Sequence, residues 1–80
     1  METSKELRLS QVEVGSTVEV LRVEGRGPVK RHILDMGLTK GTQVFVRKLA
    51  PLGDPLEVCI RDYELSLRAS EAESVLVRVL

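Results

Sequence analysis

Apolar and polar positions change period several times along this chain, and each change marks an element. Leu7 and Leu9 flank Arg8, and Val12 and Val14 flank Glu13, before Gly15 closes the segment. That pattern predicts a lead-in packed by one side against a core. Thr17 to Val23 predicts a first strand, in which Val18 and Val20 share a face and the apolar phase then shifts to Leu21 and Val23. A shift in a period-two pattern indicates a bulge, a strong bend or burial on both faces. Glu24-Gly25-Arg26-Gly27-Pro28 ends the strand, and Pro28 suits the first residue of a helix. Val29, Ile33 and Met36 then follow at i, i+4 and i+7, one narrow helical stripe. Gly37 supplies a left-handed stop, after which Leu38 can fold back on Ile33 in a Schellman closure. A helix this short does not form alone in water, so the stripe must dock on a sheet.

Thr39-Lys40-Gly41 predicts a turn, and Thr42 to Leu49 a second strand with Val44 and Val46 on one face. Ala50-Pro51-Leu52-Gly53-Asp54-Pro55 closes it. Leu56, Val58 and Ile60 alternate with Glu57, Cys59 and Arg61, a half-buried strand. After a short turn at Arg61-Asp62, Tyr63, Leu65 and Leu67 form the returning arm of a hairpin. Ser70 and Glu73 have capping-box spacing and predict one helical turn, and Val75 to Leu80 predicts the last strand. Five short strands with one inserted helix do not make a layered α/β domain. They predict a mainly β fold: a five-stranded, partly open small barrel with one short α-helix between strands one and two. Closure removes most exposed edges.

Eighty residues make a single domain spanning 1–80. A domain of this size buries only about 60–65% of the surface its unfolded chain exposes. Twelve basic and twelve acidic residues balance, so no excess of positive charge favours phosphates. Phe45 and Tyr63 are the only aromatic residues, which leaves little for stacking on bases. Both facts argue against a dedicated nucleic-acid binder. The single cysteine, Cys59, forbids an internal disulfide and suits a reducing compartment. Met1 to Ser10 lacks the apolar core of a secretion signal, and no stretch reaches the roughly 18–20 apolar residues that span a bilayer. The expected location is cytoplasmic.

No catalytic constellation is present, and no enzyme activity or cofactor is expected. His32 is the sole histidine, with no spaced carboxylate on its face to complete a metal site. Cys59 falls on the outward phase of its strand and reads as a plain strand residue. Gly25-x-Gly27 before a helix invites a phosphate-binding reading, but neither GxxxxGK[ST] nor GxGxxG occurs. Two glycines easing a strand into a helix is the simpler account. Asp54 and Glu57 near Gly53 supply too few ligands for calcium.

What remains is surface. On a helical wheel Leu34 lies roughly 140° from the buried stripe, given about 100° per residue. Lys30 and Arg31 share that outer half, Arg26 precedes it, and Arg31 can pair with Asp35 at i+4. A solvated basic face carrying one stray leucine is common on monomers. Leu52, at a loop tip between Pro51 and Gly53, tilts the balance towards a docking surface.

The run Ile33-Leu34-Asp35-Met36-Gly37-Leu38-Thr39-Lys40-Gly41-Thr42, then APLGDP with Leu56-Glu57-Val58, then Leu65-Ser66-Leu67-Arg68, resembles the FeoA family of ferrous iron transport accessory proteins. The likeness runs from about Leu9 to Val79. It implies an SH3-like small barrel and a cytosolic partner of FeoB, the Fe²⁺ permease with a cytosolic nucleotide-hydrolysing domain, with membrane contact only through that partner. It supplies no metal site. Asp62 departs from the pattern, since similar proteins often carry glycine there. The expected contact residues are Arg26, Lys30, Arg31 and Leu34 on the helix and Pro51, Leu52 and Asp54 in the loop. Two readings of other classes stand beside this one. A nucleic-acid binder would use Arg26, Lys30, Arg31, Arg47 and Lys48. A metal-dependent regulatory module would join His32 and Cys59 from different chains.

Overall fold

The computed structural model describes residues 6–52, 54–61 and 63–80. Its elements run β1 (Glu6–Arg8), a 3₁₀ turn (Leu9–Gln11), β2 (Thr17–Val23), α1 (Gly27–Asp35), β3 (Gln43–Leu49), β4 (Leu56–Ile60), β5 (Tyr63–Leu67), α2 (Ala69–Ala72) and β6 (Val75–Val79). The fold is mainly β, and all neighbouring strands pair antiparallel in one six-stranded sheet of order β1-β6-β2-β3-β4-β5. Six strands are present among the described residues, where five were expected. Part of the lead-in is itself a strand: Glu6, Leu7 and Arg8 lie opposite Arg78, Val77 and Leu76. Nothing local distinguishes such a strand from a packed coil, because its partner lies at the far end of the chain.

One apolar cluster takes residues from both ends of this sheet, including Leu9 beside β1 and Leu67 of β5. A sheet that fills a single core from both its edges must curl, as the barrel expectation requires. The phase shift in β2 is a bulge: the register slips between Val20 and Arg22, and Val23 joins Val18 and Val20 inside. A second slip, between Val46 and Lys48 of β3, has no counterpart in the apolar pattern, because Arg47 and Lys48 at the slip are polar and exposed.

The turn before β6 differs in detail from the expectation. The cap of α2 is Arg68 and not Ser70: the Glu71 carboxylate accepts from the Arg68 N–H at 2.9 Å. Ser70 and Glu73 have suitable spacing, but the chain enters the turn two residues earlier. Between β4 and β5, Arg61 takes the left-handed conformation at φ 53°; Asp62 lies outside the described residues, as does Gly53.

Candidate functional site

The element that carries most of the predicted surface residues is α1. It starts where Gly25 and Gly27, both at positive φ, turn the chain out of β2. It ends in the expected Schellman closure: the Leu38 N–H donates to Ile33 O at 3.4 Å and the Gly37 N–H to Leu34 O at 3.0 Å. Ile33 and Leu38, brought together by that closure, are fully buried. The Tyr63 hydroxyl of β5 adds a second tie by donating to Met36 O at 2.8 Å. Gly37 sits beneath it at φ +101°, where an added Cβ would lie 2.6 Å from the Tyr63 oxygen.

The other end of the helix is held much less. Val29, expected in the buried stripe, is 49% exposed. The stripe thus narrows to Ile33, with Met36 packed against the core from partial burial, because the first turn overhangs the sheet. The helix is anchored at its C-terminal end and projects its N-terminal half into solvent.

On the outer side, Gly27, Lys30, Arg31, Leu34 and Asp35 line a shallow depression of about 320 Å³. A second, of about 300 Å³, is bounded by Gly27, Pro28 and Arg31. Leu34 is 36% exposed, at the surface but partly covered. Elsewhere the arginines are largely engaged by carboxylates. Glu6 grips Arg22 through two hydrogen bonds of 3.0 and 3.2 Å, which raises the Arg22 pKa above its ordinary value. Glu24 meets Arg8 at 3.3 Å, Glu19 accepts from Arg78 Nε at 2.7 Å, and Glu64 pairs with Arg47. Among the described residues no ion pair involves Arg26, Lys30 or Arg31, and the expected Arg31–Asp35 pair does not form.

The loop residues Pro51, Leu52 and Asp54 line neither depression. The loop is closed by the Ala50 N–H donating to Pro55 O at 3.2 Å. Asp54 turns to α2, where its Oδ1 accepts from the Ala69 N–H at 3.2 Å. The carboxylate expected to meet a partner thus also supports the start of α2. The α1 side of α2 is reached by Glu71, 17% exposed, whose Oε2 lies 3.5 Å from His32 Nε2. α2 thus touches α1 through Glu71 and the loop through Ala69. Leu52, 95% exposed, is the most prominent apolar side chain described.

Sequence reading missed the roles of Tyr63 and Glu71. Strand alternation and helical spacing mark both residues as ordinary, and only their long-range neighbours give them work. A further depression of about 200 Å³ is lined by Gly37, Thr39, Thr42, Ile60, Arg61 and Tyr63. Its Thr42 and Tyr63 hydroxyls are already committed to Gly37 O and Met36 O. Among the described residues no group of three or more His, Cys, Asp or Glu could hold a metal ion. Arg47, proposed for nucleic acid, is occupied by Glu64, which breaks up the basic set.

Comparison with known proteins agrees with this architecture. The FeoA domain family model matches residues 7–79. A curated relative, the Fe(2+) transport protein A/Fe(2+) transporter FeoB fusion protein of Porphyromonas gingivalis, is 39% identical over 74 residues. The match takes in 92% of this chain but 9% of that protein, so the chain spans less than a tenth of the curated relative's length. The solution structure of a FeoA-like protein from Clostridium acetobutylicum is 42% identical, with a TM-score of 0.89 and coverage of 98% of this chain and 91% of that one. A zinc-complexed FeoA from Stenotrophomonas maltophilia, described as a prokaryotic SH3 domain protein, is 26% identical with a TM-score of 0.76, covering 95% and 89%. With the family model spanning nearly every described element, this chain belongs to the FeoA domain family.

Proposed function

We propose that the chain is a non-catalytic accessory protein of ferrous iron transport, which docks on the cytosolic part of a FeoB-like transporter and modulates Fe²⁺ passage. Iron is the cargo of that system, and the action is cytoplasmic. The observation that carries the reading is the fused relative, in which an Fe(2+) transport protein A and the transporter FeoB share one polypeptide. Two modules that tolerate covalent joining work at the same place. No helix among the described residues is long and apolar enough to cross a membrane, which leaves contact with the transporter to surface residues.

Exposure ranks the contact points. Full burial of a leucine contributes about 1.5–3 kcal/mol. Leu34 has only about a third of its surface left to cover, so it adds about 0.5–1 kcal/mol on docking. Leu52, almost wholly exposed, has nearly the full amount to contribute, about 10- to 150-fold in affinity. The C-terminal anchorage of α1 holds the backbone at Leu34 in place before docking, which limits the entropy lost at that residue.

The test is binding of Leu52→Glu and Leu34→Glu variants to the purified cytosolic part of the transporter, alongside Fe²⁺ uptake by cells carrying each variant. Weakened binding together with altered uptake supports the reading. Unchanged affinity in both, with folding intact, removes these patches as the docking surface.

A further inference from the structure

The outer face of α1 has a chemical character as well as a shape, and its character specifies what covers it. Between residues 26 and 35, Arg26, Lys30 and Arg31 stand against Asp35 alone among carboxylates. The whole chain is neutral, and several of its carboxylates are engaged away from this helix. Glu6, Glu19, Glu24 and Glu64 each hold an arginine of the sheet, Glu71 faces His32 and caps α2, and Asp54 supports Ala69. The helix gains no stability from its cations. Its first turn contains no acidic residue and Arg26 forms no side-chain cap. Basic side chains near the N-terminus oppose the macrodipole. Their placement favours something outside the chain.

We propose that the docking partner presents an acidic segment, a carboxylate with an apolar side chain beside it. It seats in the depression between Lys30 and Arg31 over Leu34. The inference rests on the docking reading above and names the chemistry of that partner surface. Gly27 leaves the depression open, since even an added Cβ there would meet nothing within 4 Å. Lys30 and Arg31 flank it, Leu34 supplies an apolar wall and Asp35 closes one end. The Asp35 carboxylate repels a second negative charge, which restricts the occupant to one orientation. A polyanion such as nucleic acid would meet that repulsion with cations on little more than one helical turn, so a protein carboxylate fits better.

The experiment measures affinity of the full chain for the transporter's purified cytosolic part as ionic strength rises from about 50 to 300 mM, over which the Debye length falls from about 14 to about 6 Å. Wild type is compared with Arg31→Glu, the double variant Lys30→Glu/Arg31→Glu, Leu34→Ala and Lys48→Glu, an exposed cation of β3 outside this face. Thermal melts verify folding of each. Wild-type affinity should fall several-fold with salt. Arg31→Glu should weaken binding by about 3- to 20-fold at low salt, the double variant by more, and Lys48→Glu by less than about 2-fold. Salt-independent binding that Leu34→Ala weakens and Arg31→Glu does not would overturn the acidic partner while leaving docking in place. Binding indifferent to every helix variant would overturn the seat on α1, and no binding of the wild-type chain to the transporter's cytosolic part would overturn the docking reading itself. Cation-dependent capture of a DNA duplex, with no binding to the transporter, would overturn both.

Discussion

Gly37 and Tyr63 meet at one point, and the geometry predicts that their substitutions are strongly non-additive. Gly37→Ala places a side chain on a residue at φ +101°, a backbone strain of about 1–3 kcal/mol. The new Cβ would also lie 2.6 Å from the Tyr63 oxygen, so the hydroxyl must leave Met36 O. That bond contributes about 0.5–1.5 kcal/mol, towards the lower end because Tyr63 is partly exposed. Gly37→Ala should therefore cost about 2–4 kcal/mol, and Tyr63→Phe alone about 0.5–1.5 kcal/mol. In the Tyr63→Phe background the obstacle is gone, and the nearest remaining atom of the ring stands 3.9 Å from the Cβ, an ordinary contact. Gly37→Ala should then cost only its backbone strain, and the double variant should be more stable than the sum of the singles by about 0.5–1.5 kcal/mol. Urea unfolding of the four proteins reads this directly, since a domain of this size unfolds in one step. Additivity within about 0.3–0.5 kcal/mol would refute the contact as the reason for glycine at 37 and leave only its backbone conformation.

Two further outcomes follow from the anchoring of the helices. Ile33→Ala should destabilise by about 2–4 kcal/mol in thermal denaturation, whereas Val29→Ala should stay within about 0.5 kcal/mol; equal losses would contradict a helix held at its C-terminal end. Glu71→Ala should cost about 1 kcal/mol and speed hydrogen exchange at the Arg68 amide, while Glu71→Gln, which keeps an oxygen to accept that N–H, should leave exchange nearly unchanged. A Gln variant as damaging as Ala would shift the role from capping to the charge facing His32.

The features legible in the chain are those enforced within a few residues. The β2 bulge announces itself because the apolar phase must change when one residue is inserted. The Schellman closure does so because Gly37 and Leu38 stand at the spacing that the closure needs. The α2 cap was misplaced by two residues, because Arg68 and Ser70 each have a glutamate three positions on and only the path of the chain out of β5 chooses between them. Among the predicted contact residues, Lys30, Arg31 and Leu34 share one depression. Asp54 is drawn off to α2, which its loop position did not disclose.

Alternation, glycine placement and apolar spacing were enough to determine a small curled β domain with a helix closed at Gly37, because backbone sterics and side-chain periodicity act locally. Folding alone decided that Glu6–Arg8 becomes a sixth strand, that Val29 overhangs and that Tyr63 ties down Met36. It also decided which cations find no carboxylate among the described residues. Each of these depends on groups far apart in sequence arriving within a few ångströms, and short-range contact and Coulomb interactions carry no trace of that in the order of residues.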